Sequence, residues 1–215
     1  SAVGMKKTIL SALLALCTAA LLTTVSFAAD KTVSSWSELA DAIQSTDTSP
    51  SITLSCDITA GEGDGEITVS GTSTVRLDLN GHVLDGAMRT RIFLVQDGGR
   101  LVITDSDAQK RGALVGGSAD DASAGAAVVL VSGSTLNMSG GTIKDNISNT
   151  LGGGVYAKGI QSRSSTLNFS GGEISGNRVN STNDDLGFDG GGGVYVAAGG
   201  QWGQDGAAIG GCQGA

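Results

Sequence analysis

The sequence predicts an all-β chain: a right-handed single-stranded parallel β-helix, a solenoid of stacked coils, with a short N-terminal capping α-helix. Three observations predict it. Segments that alternate apolar and polar residues recur along the chain, 35 glycines stand against one proline, and aromatic residues make up only 4% of the 215 residues. A chain with so few large rings must bury thin layers of aliphatic side chains, as stacked coils do.

The clearest repeat is thirteen residues long. Residues 134–146 return as residues 165–177 at an offset of 31 (165 − 134), with nine identical positions. Weaker copies begin at Leu77 and Leu101. Because successive side chains of a strand point to opposite faces, the repeat predicts two inward columns of stacked side chains. The first comprises Leu77, Leu101, Leu136 and Leu167, and the second comprises Leu79, Ile103, Met138 and Phe169.

Glycine-rich corners separate the predicted strands. A second motif, residues 152–156, returns as residues 191–195 and consists of three glycines, a valine and a tyrosine. Sharp corners need positive φ or close backbone approach, and glycine permits both. Asn146 and Asn177 occupy equivalent positions in the thirteen-residue repeat. They are interpreted either as a structural ladder of hydrogen-bonded side chains or as two ordinary turn asparagines.

The first 28 residues have the layout of an export signal. Residues 1–4 precede Met5 and are interpreted as a cloning remnant or as upstream residues. Residues 5–28 combine a basic start at Lys6 and Lys7, an apolar run and small residues before a cleavage site after Ala28, which predicts a signal peptide. We therefore expect a secreted or cell-surface protein without a membrane span after cleavage. The alternative, a membrane anchor, is disfavoured because the apolar run is barely long enough.

The mature chain is expected to have three parts. Residues 29–50 form an N-terminal cap, in which Ser35 and Glu38 make a capping box for an amphipathic helix. Residues 51–200 form the β-helix. Residues 201–215 break the alternation and are expected to be an irregular tail, as in a fragment of a longer repeat protein. An uncapped last coil would permit end-to-end association. The helix should bury Trp36, Leu39, Ala40 and Ile43.

The two copies of the thirteen-residue repeat, together with the glycine corner that follows them, resemble repeats of bacterial pectin-lyase-like β-helix surface proteins. They are also similar to the repeats of polymorphic outer-membrane and adhesin-type proteins. The resemblance is strong over residues 134–196 and weak over residues 52–117. It implies an extracellular binding or structural role, and its motifs specify a fold rather than a substrate.

An enzyme of this fold class is the alternative hypothesis. Related polysaccharide hydrolases and lyases imply acidic motifs followed by Gly-His-Gly and Arg-x-Lys, or a basic residue beside an acidic column. Here the nearest match is residues 183–185, but the single histidine, His82, precedes it and no Arg-x-Lys follows. Arg163 and Arg178 lie in repeat loops without an adjacent acidic column. We therefore expect a non-enzymatic protein.

The net charge and the spacing of the acidic residues indicate which ligands to expect. The 13 basic and 21 acidic residues give a net charge of −8, which argues against nucleic-acid binding. No cofactor is expected, although two glycine-rich loops carry oxygen ligands of the type that calcium prefers. Neither loop has a full calcium signature, so solvated acidic loops are the favoured interpretation. The candidate ligands are Glu62, Asp64 and Glu66 in one loop and Asp184, Asp185 and Asp189 in the other.

The tyrosines suggest a binding surface. Tyr156 and Tyr195 follow core valines, so their rings should face outward, and Phe93 is expected in the same column. Aligned exposed rings can stack on sugars or contact a protein surface, or they can pack on each other along the sheet, which is the favoured interpretation. The sequence thus predicts a module with a structural, adhesive or glycan-binding role.

Overall fold

The computed structural model describes residues 30–45, 49–120, 124–160, 162–180, 191–197, 200–204 and 208–210. The predicted signal peptide, residues 5–28, lies outside these ranges. The prediction of an all-β chain with parallel strands and one short helix is confirmed. Among the residues described, no helix is long and apolar enough to cross a membrane.

One helix and twenty-one strands follow each other in the described ranges. In chain order they are β1 (Asp30–Val33), α1 (Trp36–Ile43), β2 (Ser51–Leu54), β3 (Ile58–Thr59), β4 (Ile67–Ser70), β5 (Thr74–Asp78), β6 (Val83–Asp85), β7 (Phe93–Gln96), β8 (Arg100–Thr104), β9 (Ala113–Val115), β10 (Ser118–Ala119), β11 (Val128–Val131), β12 (Thr135–Met138), β13 (Thr142–Lys144), β14 (Ile147–Ser148), β15 (Val155–Lys158), β16 (Ser165–Phe169), β17 (Glu173–Ser175), β18 (Arg178–Val179), β19 (Val194–Val196), β20 (Gly200–Gln204) and β21 (Ala208–Gly210).

These strands form four parallel sheets. Sheet A has the order β1-β2-β5-β8-β12-β16-β20, sheet B the order β3-β6-β9-β13-β17-β21, sheet C the order β4-β7-β11-β15-β19, and sheet D the order β10-β14-β18. From β2 onward the chain visits A, B and C in turn, and from β10 it adds a strand of D between B and C. From β2 onward, successive strands of each sheet are therefore one circuit apart in the chain, which is consistent with an all-β parallel solenoid.

The register of sheet A corrects one end of the predicted columns. Leu136 pairs with Leu101 and Leu167, as the repeat predicts. Leu77, however, pairs with Ile103 and not with Leu101, so its column was placed two residues out of register. Because side chains alternate with a period of two, this shift leaves inward residues inward, and the sequence pattern cannot detect it.

Leu79, which the sequence placed in the second column, lies just beyond the end of β5. It is fully buried. A Cβ atom added to Gly141 would lie 2.6 Å from its Cδ1, so the Leu79 side chain occupies the space that the missing side chain leaves. The Gly-Gly corner of one coil is therefore packed directly on an aliphatic residue of an earlier one.

Helix α1 begins with a capping arrangement. The Ser35 hydroxyl accepts a hydrogen bond from the Glu38 N–H at 3.2 Å, and Glu38 Oε2 accepts one from the Ser34 N–H at 2.7 Å. Hydrogen bonds from the Ser34 backbone and side chain lower the pKa of Glu38. The reciprocal bond thus goes to the residue before the N-cap rather than to the N-cap itself.

The apolar side of α1 packs against β1 and β4. Trp36 Nε1 also donates a hydrogen bond to the Gly65 carbonyl at 2.9 Å, which ties the helix to the loop before β4. Ala40, expected on the buried side, is half-buried, and Ala42 takes a buried place. The buried helix residues are Trp36, Leu39, Ala42 and Ile43.

The expectation of an irregular tail over residues 201–215 is wrong for residues 201–204 and 208–210. These residues belong to β20 and β21, which pair in parallel with β16 and β17. Backbone hydrogen bonding to the preceding coil does not require alternating apolar side chains, so the pattern of residues carried no sign of these strands.

Candidate functional site

Tyr156 and Tyr195 form an aromatic pair on the outer face of sheet C. They are directly paired in the register of β15 and β19. Their ring centroids are 5.9 Å apart and their planes differ by 11°, which is a stacked arrangement. Each follows a valine of the inner face, and Val155 is fully buried. The valine–tyrosine order of the repeated motif thus produces the pair by strand alternation.

Phe93 does not belong to this column, and the expectation that its ring faces outward is wrong. Phe93 is fully buried and pairs with Val128, which in turn pairs with Val155 of the inner face. Its neighbour Leu94 pairs with Val129 and occupies the outer column instead. The run of three apolar residues at 92–94 hides which of them faces the core, because alternation is the only signal for a strand's face.

The stacking limits what the tyrosine pair can bind. One face of each ring is turned toward the other ring, so that face is not free to stack on a sugar. Burial, and secondarily the neighbouring Tyr195, raises the pKa of Tyr156. The arrangement stabilises the outer face of sheet C by lateral packing of the two rings.

Asn146 and Asn177 form a hydrogen-bonded ladder in the interior. Both side chains are fully buried. Asn146 Nδ2 donates to Asn177 Oδ1 at 2.8 Å, and Asn146 Oδ1 accepts from the Gly117 N–H at 2.8 Å. The amide groups also donate to backbone carbonyls, Asn146 Nδ2 to Lys144 at 2.9 Å and Asn177 Nδ2 to Ile143 at 2.9 Å. These side chains supply the bonds that backbone groups at the bend after sheet B lack.

The glycine triplets stack on each other at backbone distance. The N–H of Gly154 donates to the Gly192 carbonyl at 3.0 Å. A Cβ on Gly153 would lie 2.3 Å from the Arg178 carbonyl oxygen and 2.4 Å from that of Gly192, so no side chain fits. An earlier copy that the sequence did not reveal lies at residues 125–127, where Ala126 donates to the Gly152 carbonyl at 3.2 Å.

In the first acidic loop, Asp64 and Glu66 bond different partners. Asp64 Oδ2 accepts from the Gly61 N–H at 2.7 Å, and Glu66 Oε2 lies 2.7 Å from Arg91 Nε in an ion pair. No group of three or more histidine, cysteine, aspartate or glutamate side chains that could hold a metal ion occurs among the residues described. The second candidate set, Asp184, Asp185 and Asp189, lies outside the described ranges.

A charged cavity of about 320 Å³ lies where sheet D begins, and no motif in the sequence indicates it. Arg91 is fixed there, with Nε on Glu66 and Nη1 donating to the Ala124 carbonyl at 2.7 Å. Next to its lining, Ala87 and Met88 have positive φ values of 54° and 56°. The lining comes from separate coils, so only the fold brings it together: Glu66, Arg89, Thr90, Arg91, Ser118, Ala119 and Asp120.

The residues weighed for catalysis lie at different places in the coils. His82 Nδ1 is 3.3 Å from Asp57 Oδ1, at the bend between sheets A and B. Arg163 lies against Gly133, where an added Cβ would be 3.1 Å from Arg163 Nε, at the bend between sheets C and A. Arg178 is exposed on β18 of sheet D. The fold therefore does not bring these three side chains together.

Comparison of the chain with models of protein families, with curated proteins and with solved structures finds no match.

Proposed function

We propose that the chain is a secreted or cell-surface right-handed single-stranded parallel β-helix with a non-enzymatic structural and adhesive role. One observation carries the proposal: a single buried column runs through five strands of sheet A in unbroken register. Its paired residues are Ile52, Leu77, Ile103, Met138 and Phe169. A stack of this kind makes a rigid support whose bends and loops face outward.

The right-handed sense is supported by a general rule for connections between parallel strands. Each circuit leaves sheet A, passes through sheets B and C and returns to a parallel neighbour in sheet A. Connections between parallel strands of one sheet are right-handed in about 98% of cases, because the strand twist favours that direction. An experimental structure of the chain is the direct test, and a left-handed winding would contradict this part of the proposal.

A structural role is supported by how the buried polar side chains are used. The Asp105 carboxylate is 4% exposed and accepts backbone N–H bonds from Gly81 at 2.8 Å and Gly112 at 2.7 Å. Asn146 and Asn177 are likewise bonded to backbone groups and to each other. These groups are used to hold coils together, which favours a structural support.

Removal of one complete coil tests the structural role. Thr135 and Thr166 are partners in the register, so deletion of residues 135–165, 31 residues (165 − 135 + 1), joins Ser134 to Thr166 in phase. A repetitive support should still fold and unfold cooperatively, with a smaller change in exposed surface. The control is a deletion of residues 135–157, which breaks the phase and should not fold. Equal failure of both deletions would contradict the proposed role.

Two further assays test the remaining parts. Incubation of the purified chain with a panel of acidic and neutral polysaccharides should release neither reducing ends nor unsaturated sugars, and product formation would overturn the non-enzymatic assignment. For export, residues 1–50 are fused to a reporter that is active only outside the cytoplasm. We expect activity from this fusion and loss of processing when Ala28 is changed to a bulky residue. A cytoplasmic, inactive reporter would contradict the proposed location.

A further inference from the structure

The bend after β5 contains a reactive peptide unit. Asn80-Gly81 is the one Asn-Gly pair in the 215-residue sequence. Asn80 is exposed, and both residues have positive φ, 50° for Asn80 and 78° for Gly81. In an Asn-Gly pair the glycine nitrogen can reach the asparagine Cγ because no Cβ on the second residue stands in the way.

The reaction open to this pair is spontaneous deamidation. The Gly81 nitrogen loses its proton and forms a bond to Asn80 Cγ, the Cγ–Nδ2 bond breaks, and ammonia leaves with the proton. Water then opens the five-membered succinimide at one of its two carbonyls and yields aspartate or isoaspartate. The sequence of steps is redox-neutral, and water is its only co-reactant.

Hydrogen bonds fix both reacting groups, the Gly81 nitrogen and the Asn80 side-chain amide. The Gly81 N–H donates to Asp105 Oδ1 at 2.8 Å, and the other carboxylate oxygen is fixed by the Gly112 N–H at 2.7 Å. Asn80 Nδ2 donates to the Leu54 carbonyl at 3.0 Å, so the leaving amide is tied to the preceding coil. A buried carboxylate in contact with the Gly81 N–H disfavours removal of that proton, because it would place two negative charges together.

From this arrangement we propose that Asn80 is a self-modification site which Asp105 keeps closed in the folded protein. The reaction proceeds only when the bend opens and the Gly81 N–H leaves Asp105. Conversion then replaces the donor to the Leu54 carbonyl by a carboxylate, near the Asp78 carboxylate that accepts the Asn80 N–H at 2.8 Å. The product cannot rebuild this contact between coils, so deamidation in the opened state leaves a permanent chemical mark.

The sequence of the later coils suggests a variant that tests whether Asp105 prevents deamidation of Asn80. In the register of sheet A, Gly140 and Gly171 occupy the position of Asp105 in the next two coils. Asp105→Gly therefore introduces a residue that this bend accommodates elsewhere. The matched control is Asp64→Ala, which removes a carboxylate that accepts a backbone N–H in a different bend, from Gly61 at 2.7 Å.

The experiment incubates wild type and both variants at mildly alkaline pH and follows the peptide containing Asn80 by mass spectrometry. The peptide containing Asn168, followed by a bulky residue, serves as internal reference. We expect Asp105→Gly to deamidate about tenfold faster than wild type, the factor that loss of one hydrogen bond to a charged group gives. Asp64→Ala should react at the wild-type rate. Equal rates in wild type and a folded Asp105→Gly variant would overturn the proposal.

Circular dichroism decides whether Asp105→Gly is folded, and a second measurement needs no variant. Hydrogen exchange of the wild-type protein should find the Gly81 amide protected, and added urea should raise its exchange rate and the deamidation rate of Asn80 in parallel. A Gly81 amide that exchanges like an unprotected turn, or deamidation that ignores the opening of the bend, would equally overturn the proposal.

Discussion

Asn177 Oδ1 accepts two hydrogen bonds from Asn146, one from the side-chain Nδ2 at 2.8 Å and one from the backbone N–H at 3.1 Å. One buried amide oxygen therefore satisfies two donors of the coil before it. The two asparagines are 31 residues apart (177 − 146), which is the offset of the repeat, so each copy of the repeat supplies one partner of this hydrogen bond between adjacent coils.

Truncation of this ladder should be costly. Asn146→Ala removes the acceptor of the Gly117 N–H and leaves that buried donor without its bond. We expect a loss of about 2–4 kcal/mol in the free energy of unfolding, measured by denaturant titration with circular dichroism. The matched control is Asn168→Ala, because Asn168 Nδ2 donates to Asn137 Oδ1 at 2.8 Å on an exposed face. Equal losses for the two variants would contradict the special role of the buried ladder.

The tyrosine pair should show a pH dependence at the alkaline end. Burial and then Tyr195 raise the pKa of Tyr156 above its usual 10.0, so the folded state holds this proton more tightly than the unfolded state. The resulting contribution to stability is complete below about pH 10 and is lost as the pH rises through the raised pKa. Tyr195→Ala should lower the pKa of Tyr156, and ultraviolet absorbance during alkaline titration measures it. A Tyr156 pKa unchanged by this substitution would contradict the interaction.

Asp107 should make the stability of the protein depend on pH at the acidic end of the scale. Hydrogen bonds from the Arg111 side chain and backbone lower the pKa of Asp107 from 3.8 to about 2. The stabilising contribution is therefore present above about pH 3.8 and disappears as the pH falls toward 2. Arg111→Gln should raise the pKa of Asp107 toward its ordinary value, as measured by NMR titration of the carboxyl carbon. The prediction fails if the titration midpoint does not move.

The glycine corner predicts an effect of added volume. Gly153→Ala would place a Cβ 2.3 Å from the Arg178 carbonyl oxygen and 2.4 Å from the Gly192 carbonyl oxygen. Both of these oxygens belong to the backbone. We expect a loss of about 1–3 kcal/mol in the free energy of unfolding, because packed backbone must shift. Gly65→Ala is the control, since no atom lies within 4 Å of its added Cβ. This variant should be neutral or slightly stabilising, and a similar loss at both positions would contradict the steric account.

The sequence predicts most strands in which polar and apolar residues alternate. Leu136 and Leu167 are partners because their repeats are nearly identical, and Ser35 caps α1 because its hydroxyl precedes an acidic residue by three positions. Where the copies diverge, the sequence does not predict the register: the column predicted for Leu77 is two residues out of register, and the face predicted for Phe93 is wrong. Alternation identifies the inward face of a strand only where consecutive residues differ in polarity.

Features assembled from several coils could not be predicted from local patterns. The Asp105 carboxylate meets Gly81 and Gly112, which lie 24 and 7 residues away in the sequence. Likewise, Arg91 and Glu66 meet in the charged cavity across 25 residues. No short motif records these contacts, because they depend on how much chain each circuit uses before it returns to the same sheet.

That amount of chain varies while the alignment of the strands does not. Along sheet A, successive partners Ile52, Leu77, Ile103, Met138 and Phe169 are separated by 25, 26, 35 and 31 residues (77 − 52, 103 − 77, 138 − 103, 169 − 138). The spacing between paired strands is thus independent of the number of residues in the circuit that joins them. Longer bends change the exposed loops and leave the stacking of the strands unchanged, so a foreign peptide inserted in a bend would be displayed on the surface.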